Sequence, residues 1–197
     1  MPDRKARKQD IILAGVGGQG ILSIAYVIDN AAQEEGLFLK QAEVHGMAQR
    51  GGAVQSYLRL SDQTIFSDLI PRGGVDMILS IEPLEAVRYL DALTPKGVVV
   101  SSSTPYRNIP DYPDLDRLLS QLRSAPRAVV VDSEKLAKEA GSSRAQNMVM
   151  LGAAAPFLIL REEILRRFVE ALFKPRGEGL VATNLKAFDL GRRAASS

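Results

Sequence analysis

The chain has 197 residues, of which 46% are apolar and 24% charged, the proportions of a globular domain. Its net charge is +2, from 25 Lys and Arg against 23 Asp and Glu, so neither nucleic acid nor a membrane surface is expected as a main partner. There is no cysteine and only one histidine. This composition excludes thiolate-bound iron–sulfur clusters, disulfides and thiol nucleophiles, and we expect no metal site in this chain.

The start of the chain differs from the rest in charge. The first eight residues, MPDRKARK, are basic, and we expect residues 1–9 to form a flexible tail before a single domain at 10–197. No apolar run approaches the ~18 residues that span a bilayer, and the basic start lacks the apolar core of a signal peptide. A cytoplasmic location is therefore expected.

The first half of the chain alternates short apolar runs with connections rich in glycine and polar residues. We predict, in order, a strand at 11–14, a helix at 20–35 that Gly36 ends, strands at 37–42 and 53–60, the turn SDQ, and a short strand at 64–66. The two strands beside the SDQ turn are expected to pair antiparallel.

The second half continues the alternation and ends in helices. We predict a strand at 76–81, a helix from Pro83 that carries Leu84, Val87, Leu90 and Leu93, a strand at 97–101, a proline-rich loop, a helix at 115–122, a strand at 128–131, a helix at 134–140 capped by Ser133 and ended by Gly141, and helices at 144–157, 162–173 and 183–194. This order predicts an α/β fold, a Rossmann-like three-layer sandwich with a mixed, mostly parallel sheet.

A glycine-rich turn follows the first strand, in the stretch GVGGQGI. Gly15, Gly17 and Gly20 match the G-x-G-x-x-G pattern of dinucleotide-binding turns. We expect these glycines, with Gly18 and Gln19, to form a tight turn before a helix whose free N–H groups favour a phosphate or a carboxylate.

The pattern leaves two interpretations open. A dinucleotide domain also needs an acidic residue after its second strand, and Glu43, which lies 23 residues after Gly20, has a suitable position. Alternatively, the glycines only make a close strand-to-helix turn that binds no nucleotide.

A second loop, EVHGMAQRGGAV, carries an unusual group of polar residues. Histidine titrates near neutral pH, arginine offers a planar fork for anions, and the glycines permit close approach of the backbone. We expect this loop to lie beside the glycine turn at one edge of the sheet. Its candidate residues for an active-site edge or a subunit interface are Glu43, His45, Gly46, Gln49, Arg50, Gly51 and Gly52.

The two loops together resemble the gamma subunit or domain of 2-oxoacid:ferredoxin oxidoreductases, and the indolepyruvate type most closely. The resemblance continues through DMILSIEPLEAVRYL, NMVMLGA and NLKAFDLG, and so extends over nearly the whole chain. It is the second loop that is specific to this family, because glycine-rich turns are widespread.

The resemblance implies a subunit of an enzyme that uses thiamine diphosphate to convert a 2-oxoacid, such as an aryl pyruvate, into an acyl-CoA with electrons passed to ferredoxin. Thiamine diphosphate, Mg, the iron–sulfur clusters and CoA are then expected on partner chains, and no cofactor in this one. A stand-alone protein that binds NAD(P) or FAD is the alternative. We assign no catalytic residue, and we predict that Asn147 is a buried hydrogen-bonding residue.

Overall fold

A six-stranded sheet forms the centre of the fold in the computed structural model, which describes residues 7–44, the backbone of residue 45, and residues 51–107 and 109–196. The strands lie in the order β2-β3-β1-β4-β5-β6. Strands β1, β4, β5 and β6 are parallel, whereas β3 runs antiparallel to both of its neighbours, β1 and β2. The strands are β1 Lys8–Val16, β2 Phe38–His45, β3 Ala53–Ser61, β4 Val75–Ser80, β5 Leu93–Ser102 and β6 Ala128–Val131.

Helices cover both faces of this sheet. The larger apolar core lies on one face, under α1 and α4–α7, and a smaller core lies on the other face, under α2 and α3. The helices are α1 Ile21–Glu34, α2 Pro83–Val87, α3 Leu115–Arg123, α4 Ser133–Ala140, α5 Gln146–Ala154, α6 Glu162–Phe173 and α7 Glu178–Ala194. The predicted three-layer α/β sandwich with a mixed, mostly parallel sheet is confirmed.

The mixed character of the sheet has a different origin from the one predicted. The prediction of a strand at 64–66 is wrong, because this segment has no regular secondary structure and does not pair with β3. Side chains instead bind backbone carbonyls at the end of this segment and just after it. Lys40 donates to Phe66 O, and Arg59 donates to Ser67 O and Leu69 O. The antiparallel strand is β3 itself, inserted between β1 and β2.

Several predicted boundaries shift for local reasons. Strand β1 begins at Lys8, so the last two residues assigned to the tail belong to the sheet. Helix α2 ends at Val87, because a 3-10 turn at Leu90–Ala92 and the start of β5 accommodate the apolar residues that follow. The N-cap of α4 is Asp132, which accepts from Lys135 N, and not Ser133.

The C-terminal helices differ from the prediction at their starts and ends. The helix predicted at 144–157 divides into two 3-10 turns around α5, the second of which contains Pro156. Helix α6 has the predicted bounds. Helix α7 begins at Glu178, directly after Gly177, so it starts five residues earlier than the helix predicted at 183–194. None of the described helices is long and apolar enough to cross a membrane.

Candidate functional site at the carboxyl edge of the sheet

The turn between β1 and α1 depends on its glycines for steric reasons. Gly18 and Gly20 have φ values of 100° and 85°, in the left-handed region that favours glycine. A Cβ on Gly15 would lie 2.9 Å from both Gln19 Oε1 and Ile21 Cδ1. The close packing of this turn therefore accounts for the glycine pattern whether or not a ligand binds there.

Gln19 closes the turn from inside. Its side-chain Oε1 accepts a hydrogen bond from Val16 N at 2.8 Å, and its own backbone N–H donates to Val16 O at 3.1 Å. The amide oxygen thus satisfies the last N–H of β1, so the side chain stabilises the turn.

The start of α1 retains unpaired donors. The N–H groups of Gly18, Gly20, Ile21 and Leu22 have no acceptor among the residues that the structure describes, as is usual for a first helical turn. The helix begins at Ile21, slightly later than predicted. These residues border an open cavity of about 270 Å³, which Val54 of β3 also lines. The chemistry of the turn is compatible with an anionic group.

The two loops meet, as predicted. Gly17 N donates to Gly52 O at 2.8 Å, and Gly51 N lies 3.4 Å from Gly17 O. The contact continues the antiparallel ladder in which Val16 faces Ala53. The second loop therefore approaches the glycine turn through the start of β3, and not only through the end of β2.

The second loop is described only in part. Strand β2 extends through His45, so it ends three residues later than the strand predicted at 37–42. Gly46, Gln49 and Arg50, and the side chain of His45, lie outside the described residues. Their predicted roles stay predictions.

Glu43 lies on β2, away from the place that a dinucleotide site requires. Strand β3 separates β2 from β1, whereas in a dinucleotide fold the second strand lies directly beside the first. The Glu43 carboxylate accepts from Gln41 Nε2 at 2.5 Å, and Gln41 Nε2 is also 3.1 Å from Ser56 Oγ. This geometry argues against a ribose-binding role for Glu43.

Asp29 of α1 is a partly buried polar residue that was not among the predicted site residues. Burial, reinforced by the charge of Glu43, raises its pKa to about 7, and its Oδ1 is buried without a hydrogen-bond partner among the described residues. The spacing of apolar residues in the sequence could have indicated that Asp29 is partly buried. Asp29 continues the spacing of the buried residues Ala25, Ile28 and Ala32, so it lies on the apolar face of the helix.

Asn147, at the start of α5, is a buried hydrogen-bonding residue, as predicted. It is 7% exposed, its Nδ2 lies 3.4 Å from Gly20 O, and its Oδ1 accepts from Met148 N. It thus joins α5 to the glycine turn. Among the described residues, no group of three or more His, Asp or Glu side chains is placed to hold a metal ion.

Comparisons with known proteins support the family resemblance that the sequence motifs indicated. The family model described as pyruvate ferredoxin/flavodoxin oxidoreductase matches residues 10–194. The indolepyruvate oxidoreductase subunit IorB of Archaeoglobus fulgidus is 36% identical over 202 residues, covering 95% of this chain and 96% of the relative. IorB of Thermococcus kodakarensis is 34% identical over 199 residues, with 96% of each chain covered.

The fold is also that of a solved enzyme. The 2-oxoglutarate:ferredoxin oxidoreductase of Magnetococcus marinus, solved with 2-oxoglutarate, coenzyme A and succinyl-CoA bound, matches with a TM-score of 0.78 and 25% identity. The match covers 96% of this chain and 31% of the larger one, so the whole chain corresponds to about a third of that enzyme chain. The relatives are subunits of 2-oxoacid oxidoreductases, and this chain belongs to the pyruvate ferredoxin/flavodoxin oxidoreductase family.

Proposed function

We propose that the chain is the subunit without iron–sulfur clusters of a thiamine-diphosphate-dependent 2-oxoacid:ferredoxin oxidoreductase that acts on an aryl pyruvate such as indolepyruvate. The observation that carries this proposal is the similarity to IorB over 96% of both chains. The reaction is the oxidative decarboxylation of the 2-oxoacid to an acyl-CoA, with electrons passed to ferredoxin.

The cofactors are assigned to partner chains. This chain has no cysteine, so any cluster held by thiolates must be bound by another subunit. Thiamine diphosphate with Mg supplies the carbanion chemistry in such an enzyme. The partners are therefore the chains that bind thiamine diphosphate and the clusters, and ferredoxin is a partner only through them.

We assign the joined loops to the edge of the active site or to its subunit boundary. The contact between Gly17 and Gly52 supports this role, because it holds the glycine turn and the second loop as one surface. Glu43, His45, Gln49 and Arg50 are the polar residues that this surface would offer, with Gly46 and Gly51 allowing close approach. None of them is assigned as a catalytic base.

An exposed apolar surface supports a subunit role. Phe38 and Val44 of the edge strand are 51% and 50% exposed, and Phe66 and Leu69 are 90% and 71% exposed. Lys40, which shares a strand face with Phe38 and Val44, binds Phe66 O, so the segment that carries Phe66 and Leu69 lies beside this face of the edge strand. We propose that a partner subunit covers this surface, called here the β2 surface.

The decisive experiment is purification of the native complex from its source. We expect this chain to copurify with a thiamine-diphosphate-binding chain, and the complex to reduce ferredoxin with CoA and indolepyruvate. A native complex without a thiamine enzyme would contradict the proposal. Turnover with other 2-oxoacids but not with aryl pyruvates would contradict only the substrate assignment.

Two further measurements test the finer assignments. The first compares the variants His45→Ala and Arg50→Ala with the unmodified chain in the assembled enzyme. If both variants keep the same turnover, CoA saturation and assembly, the second loop has only a structural role. Calorimetry of the isolated chain with NAD, NADP and FAD tests the alternative, and we expect no heat of binding. The cytoplasmic location stays a prediction, which cell fractionation can check.

A further inference from the structure

A second cavity, of about 230 Å³, lies on the α1 face of the sheet. It is separated from the cavity at the glycine turn by the contact between Gly20 and Asn147. Its walls come from the first turn of α1, the segment before α5, the end of α6 and the start of α7. The polar lining residues are Ser23, Ser142, Arg144, Asn147, Arg176 and Asn184.

Two exposed arginines, Arg144 and Arg176, give the rim of this cavity a positive charge. Neither Arg144 nor Arg176 forms an ion pair within the described ranges, and no acidic side chain is among the described lining residues. The neighbouring arginines on α6 and α7 behave differently. Arg166 pairs with Asp189, Arg167 with Glu34 and Arg192 with Glu162.

The exposed Arg176 side chain lies beside an aromatic ring of the cavity wall. Its guanidinium group lies 5.9 Å from the centroid of the Phe173 ring, within the range of a cation–π contact, and Phe173 is part of the cavity wall. This contact restricts the motion of the side chain in the free protein, so less conformational entropy is lost when a ligand binds.

Neutral donors complete the lining. Ser142 Oγ accepts from Arg144 N at 3.3 Å, which leaves its hydroxyl proton to donate elsewhere. Asn147 is 7% exposed and uses its Nδ2 for one long contact, 3.4 Å from Gly20 O, so the second proton of this NH₂ group remains available. Asn184, 5% exposed, is held by its own bond to Leu180 O and shapes the wall.

The size and chemistry of the cavity suit one class of ligand group. A volume of 230 Å³ is below the roughly 300–1,000 Å³ of cavities that enclose whole drug-sized ligands, so it fits a compact group. Arginines, hydroxyls and an amide from four segments provide more donors than the two oxygens of a carboxylate accept, whereas a phosphate presents acceptor oxygens in several directions.

We propose that this cavity binds a phosphate or diphosphate group. The group belongs either to a free inorganic anion or to a nucleoside diphosphate whose remaining part extends out of the opening. The proposal concerns this chain alone, so it stands or fails separately from the enzyme to which the chain is assigned.

Isothermal titration calorimetry of the 197-residue chain with inorganic diphosphate tests the proposal. We expect binding to weaken about tenfold or more in Arg144→Gln and in Arg176→Gln, because each substitution removes a charged hydrogen-bonding partner. The matched control is Arg123→Gln on α3, which lies on the opposite face of the sheet, and its affinity should equal that of the unmodified chain. Ser23→Ala, which removes only a hydroxyl, should weaken binding by a smaller factor.

Two outcomes would exclude an anion site in this cavity, and a third, with citrate, would exclude phosphate as its ligand. One is the absence of binding at millimolar diphosphate. The other is equal affinity for diphosphate in the variants Arg144→Gln, Arg176→Gln and Arg123→Gln.

ADP and citrate are titrated in parallel to identify the ligand. Tighter binding of ADP than of diphosphate identifies a nucleoside diphosphate as the source of the group, and weaker binding of ADP identifies the free anion. Citrate bound as tightly as diphosphate would overturn the assignment to phosphate.

Discussion

Gly20 and Asn147 lie so close that no other residue fits at position 20 without a structural change. A Cβ on Gly20 would come within 2.5 Å of Asn147 Nδ2, and the backbone at Gly20 has a φ of 85°. The same amide nitrogen lies 3.4 Å from Gly20 O. The last glycine of the G-x-G-x-x-G pattern is therefore explained by contact with α5 and needs no nucleotide.

Gly20→Ala should destabilise the isolated chain by roughly 2–4 kcal/mol, because it combines backbone strain with a steric clash. Gly36→Ala is the matched control. Gly36 also has a positive φ, but its Cβ would meet no atom within 4 Å, so roughly 1 kcal/mol of strain is expected. Urea unfolding measures both. Equal losses would contradict the clash with Asn147.

The crossing of α5 and α7 also depends on glycine. A Cβ on Gly152 would overlap the backbone of Phe188, and a Cβ on Gly191 would overlap the backbone of Val149. We expect Gly152→Ala and Gly191→Ala each to cost about 4 kcal/mol or more, since two helix backbones must separate.

Gly179→Ala tests whether this effect is specific to the crossing. Gly179 lies on α7 with no atom within 4 Å of its Cβ position, and the substitution should be neutral or stabilise the chain by up to about 1 kcal/mol. Thermal unfolding distinguishes the three variants. A Gly191→Ala chain as stable as Gly179→Ala would disprove the close crossing.

The ion pair between Arg59 and Asp10 is buried in the sheet. Asp10 is fully buried, and its two carboxylate oxygens accept from Arg59 at 2.8 and 3.2 Å. Arg59→Ala should cost about 3–5 kcal/mol, because Asp10 keeps only the half-exposed Lys8 as a charged partner.

An exposed ion pair provides the comparison. Arg72 and Asp91 are 82% and 61% exposed, so Arg72→Ala should change the free energy of unfolding by less than about 1 kcal/mol. Chemical denaturation measures both variants. If the two variants lose similar amounts of unfolding free energy, the burial of Asp10 does not increase the contribution of its ion pair to stability.

Asp29 should make the stability of the chain depend on pH. Its pKa is raised from 3.8 to about 7 by burial and by Glu43, so the folded state binds more protons than the unfolded state between these values. The free energy of unfolding should therefore fall as pH rises from about 4 to about 7. Asp29→Asn should remove this loss and be more stable than the unmodified chain at pH 8, by roughly 1–2 kcal/mol.

The comparison at low pH is the control for this prediction. At pH 4 the carboxyl group of Asp29 is protonated in the folded chain, so Asp29→Asn should have little effect there. Glu43→Gln should reduce the pH dependence, because it removes the neighbouring charge. If the stability difference between Asp29→Asn and the unmodified chain is the same at pH 4 and pH 8, the raised pKa is refuted.

The β2 surface should be required for assembly with partner subunits. Phe66 is 90% exposed, so Phe66→Asp should leave the melting temperature of the isolated chain unchanged. In a reconstituted complex we expect the substitution to weaken association by at least about tenfold, because a charge would have to be buried in the interface. Unchanged complex formation in size-exclusion chromatography would exclude Phe66 from the interface.

The sequence predicted those parts of the fold that depend on local patterns. Helix α6 has the predicted bounds because its apolar residues repeat with helical spacing and its last turn is followed by Pro175. The segment at 64–66 has the apolar composition of a strand, yet Lys40 and Arg59 bind the carbonyls around it. These two partners are distant in the sequence, so no local pattern could indicate them.

At the candidate site the same distinction holds. The sequence by itself determined that Gly15, Gly18 and Gly20 form a turn, that a polar loop accompanies it, and that residues 1–197 offer no thiolate to bind an iron–sulfur cluster. Only the tertiary structure decided that β3 separates Glu43 from the turn, that Gly20 faces Asn147, and that Asp29 is partly buried and feels the charge of Glu43. The reason is physical: turns and helices are stabilised by neighbours in the chain, whereas burial and charge depend on which distant segments pack together.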